Sequence, residues 1–144
     1  MGALTNVASA LLLAPDLVEK IVVVWTSAYP SFWPEPNASF NLAQDVHAAN
    51  VVLESGVPLV YVPGFYVAEE LRTSLPEIQT ELAGTGPVAT ELRALYENHP
   101  ITGEHFGRSK VLWDVAVVAW VVNPNWFLTR VVPSRTLDAD LRWD

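Results

Sequence analysis

A carboxylate set among apolar residues must find a cation, hydrogen-bond donors or a proton, so such positions are the first places to look for chemistry. Asp114 is the clearest case. It lies near the start of Ser109–Pro124 (SKVLWDVAVVAWVVNP), the most apolar long run in the chain. Asp138, Asp140 and Asp144 show the spacing D-x-D-x-x-x-D, but no Pro-Gly turn or buried strand accompanies them. A solvated acidic tail is the better reading there. Three histidines complete the titratable candidates. His47 falls on a predicted helix face beside Asn41 and reads as an exposed helix residue. His99 and His105 fall in a loop and have no partner at a recognisable spacing. The absence of cysteine excludes disulfides, thiolate catalysis and cysteine-ligated zinc.

The elements that must position these groups follow from periodicity and punctuation. Ser109–Pro124 is long for a strand and fits a helix with Ser109 as N-cap and Asn123-Pro124 as its stop, although its valines favour a strand. A helix apolar all round must be buried on nearly every side, which would put Asp114 at the mouth of a dry region. Met1–Leu13 reads as an apolar helix with Thr5 and Asn6 as candidate caps. Ile21–Trp25 and Val57–Pro63 read as strands covered on both faces, and Trp126–Pro133 as a third strand. Between the first two strands lie a long loop, Thr26–Asn41, and a helix over Val46–Glu54 that Asp45 caps and Ser55-Gly56 ends. Val67–Leu75, Glu77–Leu82 and Val88–Glu97 read as helical, broken by Gly84–Pro87. His99–Arg108 is a loop and Thr136–Asp144 a frayed end. Alternating helix and strand with short connections implies an α/β fold, with a mostly parallel open sheet and helices on both faces.

Length and composition bound the rest. The 144 residues make one domain, 1–144, and 51% hydrophobic against 17% charged residues can bury a core. A net charge of −8 repels phosphate backbones, so no nucleic acid is expected as a partner. The longest apolar run is too short to span a bilayer and the N-terminus has no basic leader. A soluble cytoplasmic protein with no membrane partner is the default expectation.

Four segments, in register, resemble the inosine/uridine-preferring nucleoside hydrolases. Gly2-Ala3-Leu4-Thr5-Asn6 resembles the family's G-P-L-T-N. Ser39-Phe40-Asn41 with Asp45 and Ala48-Ala49 resembles its E-F-N…D-P-E-A-A. Glu54–Leu59 resembles the approach to its next strand. Trp113-Asp114 with Asn123-Pro124 resembles its H-D…A…D-P helix. The resemblance implies an open α/β sheet with calcium at the carboxyl ends of the strands. It also implies hydrolysis of the N-glycosidic bond of ribonucleosides, the ion lowering the pKa of the attacking water.

Carried over by position, the resemblance makes Asp114 and the Thr5 carbonyl metal ligands. It makes Asn41, with Ser39 and Phe40, a contact to ribose hydroxyls, and it places Trp25 and Trp33 around sugar and base. From the residues alone, Asn41 could as well bridge backbone, and Trp25, Tyr29, Phe32 and Trp33 could pack their own loop or meet another subunit. Trp113 stands where many members carry a histidine that protonates the leaving base, a role worth ~10²–10⁴ in rate. Ser39 stands where the family usually has a glutamate. The family's aspartate cluster, D-x-D-P-G-x-D-D, precedes its G-P-L-T-N segment and has no copy in this sequence. The chain by itself is therefore expected to lack the complete calcium site and to be inactive alone. The alternative is a non-catalytic module that oligomerises or binds nucleoside or ribose. A β-branched strand edge without a neighbour also points to association, most simply as a homodimer.

Overall fold

Val23–Ser27 forms β1, a strand whose side chains are almost all buried, and Leu59–Pro63 forms β2 parallel to it. Their register pairs Trp25 with Tyr61 and Ser27 with Pro63. The computed structural model describes residues 2–27, 29–98 and 109–144. They gather in two compact units, residues 1–69 with 113–144, and residues 70–112.

In the first unit α1 (Thr5–Leu13) and a 3-10 turn (Pro15–Glu19) precede β1, and α2 (Phe40–Ala43) and α3 (Val46–Glu54) lead to β2. The Asp45 side chain caps α3 by accepting from Ala48 N, and Gly56 leaves the helix at φ +81°, where a side chain would be strained. Helix α1 packs on α3, and α2 lies against β1. Their apolar residues, Leu4, Leu11, Leu42, Ala49 and Val52, close over Val23 and Trp25 to make the core. Helix α6 (Val115–Val122) also contacts β1. The result is an α/β fold with a short parallel sheet. No helix among the described residues is long and apolar enough to cross a membrane.

The second unit holds an antiparallel pair, β3 (Arg72–Ser74) with β4 (Ser109–Val111), and the helices α4 (Leu75–Glu81) and α5 (Pro87–Asn98). Ser74 and Glu77 form a reciprocal capping box at the start of α4.

Several sequence expectations are corrected. Ser109 pairs in β4 instead of capping a helix, and α6 begins only after Asp114. Helix α6 is not buried all round: only Ala116 is buried, whereas Val115, Val118, Val121 and Val122 are exposed. Leu4, not Thr5 or Asn6, stands at the N-cap of α1. Where a helix is expected over Val67–Leu75, residues 68–70 form a 3-10 turn and 72–74 form β3, with Leu75 opening α4, the chain having turned at Tyr66 with φ 69°. The third strand expected over Trp126–Pro133 is not formed: residues 127–133 have strand composition, but a ladder needs a paired neighbour and none pairs with them among the described residues. The end of the chain is anchored, not frayed. Leu137 is 5% exposed, exchanges hydrogen bonds with the Asn50 amide, and bridges to Trp143. The loop expected over His99–Arg108 lies outside the described residues.

Candidate functional site

Three consecutive residues at the carboxyl end of β1 hold two other stretches of the chain. Trp25 is 1% exposed, and its indole N–H donates to the Gly2 carbonyl at 2.9 Å. The Thr26 carbonyl accepts from Asn41 Nδ2 at 3.1 Å. The Ser27 hydroxyl lies 2.5 Å from that of Ser39. Ser39 also caps α2, accepting from Leu42 N. A Cβ at Gly2 would stand 3.6 Å from Asn41 Oδ1, an ordinary van der Waals spacing. Thr5 Oγ1 donates to Asp45 Oδ2 at 2.5 Å, while Asp45 Oδ1 accepts from Ala48 N. The Thr5 hydroxyl first, and the Ala48 N–H second, hold the Asp45 carboxyl below the usual carboxylate range. The strand thus gathers Gly2, Ser39 and Asn41 at its end, and the Thr5–Asp45 bond joins the same two stretches of sequence a few residues further on.

Beside it the rings form a ladder. Tyr29 stacks on Trp33 at 4.8 Å and on Phe65 at 4.5 Å, and Phe65 meets Trp113 edge-on at 5.7 Å. Trp113 adjoins Asp114, so the ladder ties the turn before α6 to the loops that follow β1 and β2. Trp25 stands apart as a core residue, tilted against Tyr61. Phe32 and Phe40 are exposed, at 69% and 82%.

Behind the ladder is a polar node that sequence reading missed. The Tyr61 hydroxyl lies 2.9 Å from the Ser27 carbonyl and 2.8 Å from that of Tyr29, placed to donate to either. Asn37, fully buried, accepts from Tyr29 N through Oδ1. Burial pushes the Tyr61 phenol well above its ordinary range, with the Asn37 amide pulling weakly the other way. One signal was legible: a tyrosine in an otherwise aliphatic strand needs a partner for its hydroxyl.

Calcium, which the resemblance implies, can be tested against the donors present. Asp114 is exposed, with no capping bond from its side chain. The Thr5 carbonyl accepts from Ser9 Oγ at 2.8 Å. Among the described residues no group of three or more His, Asp or Glu comes together to hold a metal ion. Calcium takes six to eight oxygens, and these residues do not amount to such a site. The tail aspartates do other work: Asp138 accepts from the backbone N–H groups of Asp140 and Arg142 and so closes a turn. His47 is exposed on α3, and His99 and His105 lie outside the described residues. What the patch does offer is hydroxyls, an amide and backbone carbonyls beside stacked rings.

An α/β scaffold that presents such groups at the carboxyl end of a parallel strand is a common setting for small-ligand sites. The chain belongs to the inosine-uridine preferring nucleoside hydrolase family, whose model matches residues 1–141. It is 32% identical over 142 residues to an uncharacterized protein of Schizosaccharomyces pombe, covering 92% of this chain and 44% of that one. To the pyrimidine-specific ribonucleoside hydrolase RihB of Escherichia coli it is 28% identical over 141 residues, covering 90% and 42%. Among solved structures an inosine-guanosine nucleoside hydrolase superposes with a TM-score of 0.73 at 22% identity, over 99% of this chain and 48% of that one. That superposition bears on the fold alone. The chain spans less than half the length of each of these three proteins.

Proposed function

We propose that this chain is the ribonucleoside-gripping part of a nucleoside N-ribohydrolase, and that cleavage of the N-glycosidic bond needs carboxylates it does not itself bring together. The observation that carries this reading is the end of β1, where Ser27 bonds Ser39 and the Thr26 carbonyl bonds Asn41, within a family match covering residues 1–141. Asn41 and the Ser27–Ser39 hydroxyl pair suit ribose hydroxyls. The ladder of Trp33, Tyr29 and Phe65 beside them suits the flat face of a base. Nucleoside hydrolysis passes through a transition state with positive charge on the sugar, which carboxylates stabilise. Asp45 is committed to Thr5 and Ala48 and is poorly placed for that work.

The experiment is a thermal melt of the purified chain with inosine, uridine or ribose, with and without calcium, together with an assay for released ribose. A rise in melting temperature with nucleoside, lost in Asn41→Ala and independent of calcium, without ribose release, is the expected result. No response to any nucleoside would remove the binding reading.

A second reading, self-association as a non-catalytic module, is favoured by a separate observation. The valines of α6 and residues 127–132 form an exposed apolar stretch unusual for a chain that works alone. The two readings are compatible, since the patch at β1 does not include that stretch.

A further inference from the structure

Asn37 is 0% exposed and, among the described residues, is the one amide side chain that is buried. Burying an amide costs stability unless it makes hydrogen bonds, so its bonds show what it is there to hold. Its Oδ1 accepts from Tyr29 N at 2.9 Å. The Tyr29 carbonyl in turn faces the Tyr61 hydroxyl at 2.8 Å. That hydroxyl also lies near the Ser27 carbonyl, but Ser27 O already accepts from Gly64 N at 2.7 Å. A phenol has one proton to give, and Ser27 is the acceptor that can spare it. Both polar groups of the Tyr29 backbone are thus held by side chains from other parts of the chain.

Tyr29 is the inner ring of the ladder, stacked on Trp33 with 9° between the planes and on Phe65 with 20°. A ring stacked on two others has no face left for a planar ligand, which must take an outer ring instead. Trp33 reaches that outer place through a turn, its N–H donating to Pro30 O at 2.9 Å, so where the indole stands depends on where Tyr29 stands. Asn37 is itself tied down. Its N–H donates to Leu141 O at 2.7 Å, and its carbonyl accepts from Ser39 N at 2.8 Å. Nearby, Arg142 Nη1 donates to Pro34 O at 2.6 Å, and Trp143 meets Tyr61 edge-on at 5.5 Å. One buried amide therefore links the rings suited to a base, the Ser39 backbone beside the sugar patch, and the end of the chain.

We infer that Asn37 and Tyr61 are positioning residues for ligand binding. Together they grip the Tyr29 backbone, and through Tyr29 they hold Trp33 where the flat face of a nucleobase stacks on it. Neither side chain touches the ligand. The assignment deepens the ribonucleoside-gripping reading above and rests on it. Ring stacking depends on separation and offset, so a ladder freed to swing loses affinity for the base while the fold survives.

Inosine titrations of the full chain, with circular dichroism of each protein, test this. The wild type should bind inosine, and Trp33→Ala should weaken that binding. The wild-type near-UV spectrum minus that of Trp33→Ala gives the bands of the stacked pair. Asn37→Ala should weaken inosine binding about tenfold, the size of one lost buried hydrogen bond. It should also lose those same near-UV bands while its far-UV spectrum stays native. Tyr61→Phe keeps the ring and removes only the hydroxyl, and it should weaken inosine binding at least about threefold. Should Asn37→Ala fail to fold, Tyr61→Phe decides the matter alone. A purely structural pair would lower the melting temperature and leave inosine affinity and the near-UV bands as they are, which overturns the inference but not the ribonucleoside reading. A wild type that ignores inosine overturns both together. Inosine binding that Trp33→Ala leaves untouched removes the base from the ladder, and the positioning role falls with it.

Discussion

Tyr61 illustrates how much one side chain can hold at the end of a short sheet. Its hydroxyl sits between the carbonyls of Ser27 and Tyr29, the first in β1 and the second in the loop beyond it. Tyr61→Phe removes that donor and should cost about 1–3 kcal/mol, read by urea denaturation, because buried acceptors lose their partner. The same residue sets an alkaline limit. Its folded pKa is raised, so its contribution is complete below the unfolded phenol value near 10 and is lost as pH climbs toward the folded value. Stability should fall from about pH 10 upward, and less steeply in Tyr61→Phe. Asp45 acts at the other end of the scale. Its folded pKa is depressed, so its contribution is present above the unfolded aspartate value and lost as pH falls through the lower folded one. Asp45→Asn should flatten the acid limb of the same curve.

At the scale of elements, the caps and the tail are where the fold can be unpicked. Ser74→Ala removes the hydroxyl half of the box that starts α4, leaving the Ser74 N–H to Glu77, and should cost about 1 kcal/mol by chemical denaturation. Leu137→Ala should cost about 2–5 kcal/mol, because the tail's one buried leucine packs into the core cluster. A truly frayed tail would tolerate that change within a few tenths.

The tail also shows where reading the sequence stops. Asp45 and Gly56 act locally, and the helix they bound was legible to within a residue or two. The anchoring of Thr136–Asp144 depends on Asn50, and the strapping of the Pro-rich loop depends on Arg142 donating to the Pro34 carbonyl. Neither contact leaves a periodic trace. Ser109–Pro124 failed for a related reason. Its valines were read by length, but Ser109–Val111 answered to a cross-strand neighbour 35 or more residues earlier. The candidate site was legible in its parts, since Thr5, Ser39, Asn41 and Asp45 sit in two matching segments. That Asn41 spends its amide on the Thr26 carbonyl could not be read from a spacing.

For the molecule as a whole, family membership and the chemistry present must be held together. The matched proteins are more than twice as long as the portion matched, and the carboxylates a calcium ion requires are not assembled among the described residues. What remains is a patch of hydroxyls, an amide and stacked rings at the end of a parallel strand, suited to holding a sugar and less suited to cleaving it. The most direct measurement is ribose release from inosine and uridine by the purified chain across a calcium titration, run alongside nucleoside-induced changes in melting temperature. The expected result is stabilisation by nucleoside that Asn41→Ala abolishes, with no ribose released at any calcium concentration. Calcium-dependent release of ribose by this chain alone would contradict it.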